Sequence, residues 1–169
     1  GERLSFLYET QCLKRTLRAD ALNVLEQLSK EGYLLGVISN STSRTQVPYT
    51  LKLNDLESLF PVVEISCVAG YRKPSPVMFL NAARRLGVSP EACIYVGYTF
   101  TRDVVGARAS GYGYVLWMQT REGQRPAEYA SHQESLNKSN TSPTWEEKIS
   151  SISDVYAFVT RLANYRKTI

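Results

Sequence analysis

The sequence predicts an α/β fold, a Rossmann-like parallel sheet with helices on both faces. Three features point to it. Short apolar runs alternate with amphipathic stretches from residue 18 to 118, the pattern that builds βαβ units. The runs, such as 33–39 and 93–96, are apolar throughout rather than at every second residue, as strands buried on both faces are. Gly, Pro, Ser and Asn stand at their ends.

Residues 19–31 are expected as a helix. Ala21, Val24, Leu25 and Leu28 recur at helical spacing, Asp20 can cap the start, and Gly32 stops it. "YLLGVIS", 33–39, then reads as a buried strand that ends in the polar run "NSTSR". A short helix is expected before Phe60-Pro61, and "VVEIS", 62–66, as the second strand. A helix follows to Leu86, with Ser75 as cap, Pro76 at its first position and Gly87 beyond its end. Cys93 to Gly97 give a third strand, 103–111 a helix closing on Gly111, and 112–118 a further strand. The polar, turn-rich residues 119–148 are expected as a loop. Residues 149–169 close the chain as an amphipathic helix with Val155, Phe158, Val159 and Leu162 on one face. No repeat or second domain is visible, so 1–169 reads as one domain with its core in 18–118.

A chain of 169 residues, 43% of them hydrophobic, is long enough for one domain with a real core. The net charge is +4, but Lys and Arg are interleaved with acids, which argues against a nucleic-acid partner. The single histidine, His132, sits in a polar stretch, which argues against histidine metal sites and Ser-His-Asp triads. Cys12, Cys67 and Cys93 have no CxxC spacing. Cys67 and Cys93 sit in apolar runs and read as small buried hydrophobes, which fits a reducing, cytoplasmic setting. No apolar run approaches the roughly 18 residues of a membrane span, and no signal-peptide pattern opens the chain.

In open parallel sheets ligands bind outside the carboxyl ends of the strands. The residues to question are therefore Ser39-Asn40, the stretch leading to Lys73, and Gly97 to Asp103. A hydroxyl at Ser39 and an ammonium at Lys73 suit phosphoryl oxygens, one as a hydrogen-bond donor and the other as a charge partner. The carboxylate of Asp103 suits a hard cation such as Mg²⁺. Each residue alone has a plainer use: Ser39 in a turn, Lys73 in solvent, Asp103 at a helix start. Their joint placement at three strand ends favours function.

At "GYLLGVISNST", "AGYRKPSPVMFLNAARRLGVSPEACIYVG" and "RDVVGARASGYG" the chain resembles the haloacid dehalogenase superfamily of hydrolases, over about Arg18 to Trp117. The resemblance implies that Ser39 is the hydroxyl that holds a phosphoryl group, with Asn40 beside it. It implies that Lys73 neutralises charge on nucleophile and phosphate, and that Asp103 is the later metal-binding acid. The implied chemistry is Mg²⁺-dependent hydrolysis of a small phosphorylated metabolite through an aspartyl-phosphate.

Two departures from the family pattern stand out. Tyr98 follows Gly97 where the pattern has an aspartate, and a phenol with a reference pKa near 10 is a poor substitute for a carboxylate. The opening Asp-x-Asp-x-Thr motif, source of the nucleophile, occurs nowhere before Ser39. Either residues 1–17 are the end of a cap region and the motif lies upstream of Gly1, or "LSFLYE" is a decayed first strand. The first is the expectation here, with the HAD-like core incomplete at its N-terminus and this chain inactive by itself. The alternative is a catalytically silent HAD-like binding or regulatory domain. A response-regulator receiver domain would need an acidic cluster at an early strand end, which the early acids Glu9 and Asp20 do not form. Substrate identity and oligomeric state are not legible in the sequence.

Overall fold

A computed structural model describes residues 1–12, 16–119 and 145–167. These residues fall into two compact units, Gly1–Val88 and Ser89–Ile169.

The first unit opens with α1 (Glu2–Leu7), continued by a π-helical turn over Tyr8–Cys12. "LSFLYE" is thus helical, as its apolar spacing suggests, and the decayed-strand alternative does not hold. Helix α2 (Ala21–Lys30) buries Ala21, Val24 and Leu28, the stripe read from the sequence. The Asp20 side chain makes no capping bond; it lies 3.8 Å from Arg18. The helix ends in a Schellman pattern, with Tyr33 N–H on the Leu28 carbonyl and Gly32 N–H on that of Ser29. This turn takes up Tyr33 and Leu34, so β1 is shorter than the apolar run and covers Gly36–Ser39. Helix α3 (Gln46–Leu53) leads to β2 (Val62–Ile65), the short helical turn α4 (Ser66–Ala69) and α5 (Pro76–Leu86). Pro76 occupies the first turn of α5 as expected, while the Ser75 hydroxyl makes no capping bond.

Strands β1 and β2 pair in parallel, Gly36 opposite Val62 through Ser39 opposite Ile65. Period-two alternation divides the two faces. Val37, Val63 and Ile65 pack with Val47 and Leu51 of α3 and with Leu22 and Leu25 of α2. On the other face Gly36 meets Leu86 of α5, and Glu64 pairs with Arg85 at 2.8 Å. Both faces are therefore covered by helices. Met78 and Phe79 of α5 are wholly buried, each worth about 1.5–3 kcal/mol.

The second unit is a three-stranded parallel sheet in the order β3 (Ile94–Gly97), β4 (Tyr114–Met118), β5 (Trp145–Ile149). Central β4 is the most apolar, with Val115, Leu116, Trp117 and Met118 buried. Between β3 and β4 a π-helical turn, Phe100–Val104, runs into α6 (Val105–Ala109). Helix α7 (Ile152–Lys167) buries Val155, Phe158 and Val159, with Phe158 edge-on to Tyr114 at 5.5 Å.

Two expectations need correction. Residues 145–148 belong to β5 rather than to a loop: their backbone pairs in parallel with β4, Tyr114 opposite Trp145 through Met118 opposite Ile149, while Arg108 meets Glu146 at 2.8 Å and Arg161 meets Glu147 at 2.6 Å. The rest of the expected loop, from residue 120 to 144, lies outside the described residues. Nor are the cysteines deeply buried. Cys67 is exposed on α4, and Cys93 is half-buried just before β3.

Candidate active site

In the first unit the carboxyl end of β1 delivers Ser39 and then Asn40. Lys73 arrives from the loop between α4 and α5, and its ammonium donates to the Ile38 carbonyl at 3.0 Å. That contact sets a positive charge against the residue immediately before Ser39. The backbone of Lys73 is fixed as well. Asn40 Oδ1 accepts from the Lys73 N–H at 2.8 Å, and Asn40 Nδ2 donates to the Lys73 carbonyl at 3.1 Å. One side-chain amide thus satisfies both backbone groups of a residue 33 positions away. Ser39, Asn40 and Lys73, singled out from the sequence, are brought to one place. The structure gives the Asn40 amide to Lys73, whereas the sequence reading offered it to a substrate.

The loop beyond Asn40 is held by two glutamates that sequence reasoning did not select. Glu9 Oε1 accepts from Ser41 Oγ at 2.8 Å, Thr42 N–H at 3.0 Å and Thr42 Oγ1 at 3.2 Å. Glu2 accepts from Ser43 Oγ at 2.6 Å, Thr45 Oγ1 at 2.9 Å and the N–H of Arg44 at 3.1 Å. The Ser43 hydroxyl is the chief reason the Glu2 carboxyl is lowered from 4.5 to about 2, with the Arg44 and Thr45 donors adding to it against the effect of burial. The only signal in the sequence is a pair of acids in a helix of mixed polar and apolar residues, which is too common a pattern to single out.

In the second unit Asp103 follows β3 and is 2% exposed. Its Oδ1 accepts from the Tyr95 phenol at 3.1 Å, and its Oδ2 from Thr99 N–H at 2.8 Å and Tyr98 N–H at 3.2 Å. Burial raises the Tyr95 phenol well above its ordinary 10.0, and the Asp103 charge raises it further. Tyr98 is held from both ends, since its carbonyl accepts from Trp117 Nε1 at 3.1 Å, yet its ring is 61% exposed. A magnesium ion needs several oxygen ligands in near-octahedral array. Here one carboxylate already serves three donors, and the neighbouring position holds a phenol. No group of three or more His, Cys, Asp or Glu able to hold a metal occurs among the described residues. The residues present in this unit do not by themselves fit the ion, and the arrangement of Asp103 is that of a loop organiser.

Comparison with known proteins adds the following. A family model for haloacid dehalogenase-like hydrolases matches residues 5–111. The glyceraldehyde 3-phosphate phosphatase of Methanopyrus kandleri is 37% identical over 92 residues, 54% of this chain and 39% of that protein. The human N-acylneuraminate-9-phosphatase is 30% identical over 119 residues, 70% of this chain and 47% of that protein. The chain thus spans about half or less of the length of these curated relatives. A solved HAD phosphatase of Thermococcus onnurineus superposes with a TM-score of 0.69 at 26% identity, covering 92% of this chain and 64% of that one.

Proposed function

Starting from a chain that belongs to the haloacid dehalogenase-like hydrolases, we propose that it is the anion-binding part of a phosphatase for small phosphorylated metabolites. The observation that carries this is the Lys73 ammonium on the Ile38 carbonyl at 3.0 Å, beside Ser39. A fixed cation and a hydroxyl at a strand end can stabilise phosphoryl oxygens as charge develops on them. Phosphatases among the relatives support the substrate class. The roles of the residues follow the same reading. Ser39 donates to a phosphoryl oxygen, Lys73 neutralises it, Asn40 holds Lys73, and Asp103 shapes the loop after β3. No Asp-x-Asp-x-Thr motif, the source of the nucleophile in this reading, occurs in the sequence, and Mg²⁺ would need oxygen ligands besides those described. A cytoplasmic setting is part of the proposal, on the strength of the unpaired Cys67 and Cys93.

A second reading, a silent domain that binds phosphate without turnover, is favoured by one observation. Tyr98 stands where a metal-binding acid would be, with its backbone locked and its ring displayed.

Titration of the chain with inorganic phosphate, followed by amide NMR, tests the shared core of both readings. Saturable shifts at Ser39 and Lys73 are expected, lost in Lys73→Ala. Absence of binding would end the anion-site reading. Orthophosphate release from a panel of phosphomonoesters separates the two: turnover by this chain would show that it carries a nucleophile after all.

A further inference from the structure

A layer of hydrogen bonds lies behind Asn40 that the proposed anion site does not itself use. Ser41, the next residue, is buried and is held from two sides. Its backbone is held by Ser66, the first residue of α4, just after β2. The Ser66 hydroxyl accepts from the Ser41 N–H at 3.1 Å and donates to the Ser41 carbonyl at 3.0 Å. Its side chain is held by Glu9, whose Oε1 also takes the N–H and hydroxyl of Thr42. Ser66 and Glu9 are 5% and 6% exposed, so these bonds form away from water, where a missing partner is expensive. Asn40 then grips both backbone groups of Lys73. The joints run from Ser66 and Glu9 through Ser41 and Asn40 to Lys73, and the Ser66 and Asn40 joints each fix a residue at two points, so it cannot swivel.

Resting on the reading of Ser39 and Lys73 as an anion site, we propose that Ser66 and Glu9 are positioning residues for that site. By fixing Ser41 they set the turn that carries Asn40, and through Asn40 the place of Lys73. Neither touches the anion. Glu2 stands one joint further back: it holds residues 43–45, and Ser43 in turn meets Ser41 Oγ through its N–H at 3.0 Å and its carbonyl at 2.9 Å.

The test is a phosphate titration of the full chain and its variants, following the Lys73 amide and the Asn40 side-chain amide by NMR, alongside thermal melts. Ser66→Ala and Glu9→Ala are expected to weaken phosphate binding roughly two- to thirty-fold and to shift both resonances before phosphate is added. Glu9→Gln, which keeps an acceptor oxygen, should recover most of the affinity. Glu2→Ala, one joint further from Asn40, should lower Tm and weaken phosphate binding less than Glu9→Ala does. Ser66→Cys fills the same space with a weak donor, so it tests the joint even where alanine unfolds the chain; weakened binding is expected. Wild-type affinity in Ser66→Cys and Glu9→Ala, with Lys73→Ala still unable to bind, would overturn this inference alone. Failure of the wild-type chain to bind phosphate would overturn the anion-site reading, and the positioning role with it.

Discussion

The Tyr95 phenol donates to Asp103 Oδ1 at 3.1 Å inside the second unit, while the other oxygen of the same carboxylate holds the amides of Tyr98 and Thr99. Strand β3 and the turn after it are thereby tied through one buried side chain. Asp103→Asn keeps the size but puts an NH₂ group where an acceptor stood. We expect a loss of about 1–3 kcal/mol in chemical denaturation, the cost of buried polar groups left unmatched. Trp117 bonds to the Tyr98 carbonyl and stacks edge-on against Phe100 at 5.1 Å, so its emission should shift in the same variant. A Trp145→Phe background isolates that signal.

Stability at high pH should carry the mark of Tyr95. Its phenol is raised well above 10.0 in the fold, by burial first and by Asp103 second. The unfolded chain therefore releases this proton at lower pH than the folded one. The contribution is fully present below about pH 10 and is lost as pH climbs from there toward the folded value. Melting curves across the alkaline range should fall less steeply in Tyr95→Phe than in the wild type. Equal slopes would remove Tyr95 as the cause.

Gly97 is required by space rather than by backbone angle. A Cβ there would stand 2.4 Å from Asp103 Cβ and 2.8 Å from Tyr95 Cε1. Gly97→Ala must push one of these side chains aside, and overpacking of this kind costs about 1–3 kcal/mol. A urea midpoint equal to that of the wild type would show that the turn gives way freely.

At the acid end the group to watch is Glu2, lowered from 4.5 to about 2 chiefly by the Ser43 hydroxyl. A depressed carboxyl stabilises the fold above its unfolded value, and that contribution is lost as pH falls from about 4.5 toward 2. The Glu2 side-chain ¹³C shift should titrate near the bottom of this window. In Ser43→Ala the midpoint should move back up, and the melting temperature should begin to fall at a higher pH.

By itself, the sequence determined the local order of the chain. Apolar periodicity marks α2, α5 and α7, and short apolar runs, interrupted in β2 only by Glu64, mark β1 to β4, because which faces are buried is written into residues close together in the chain. It also named Ser39, Lys73 and Asp103, since strand ends are where parallel sheets present such groups. Tertiary structure alone decided what those groups do. The Asn40 amide serves Lys73, 33 residues away, and Asp103 serves its own turn. Strand β5, charged at its three central residues, is a strand because its backbone pairs with β4, with Arg108 and Arg161 meeting Glu146 and Glu147, which local pattern cannot foresee. Glu2 and Glu9 look like surface acids in their helix until the loop of residues 41–45 meets them. A buried polar group is tolerable only where a partner reaches it, and for these residues the partners lie tens of positions away in the chain.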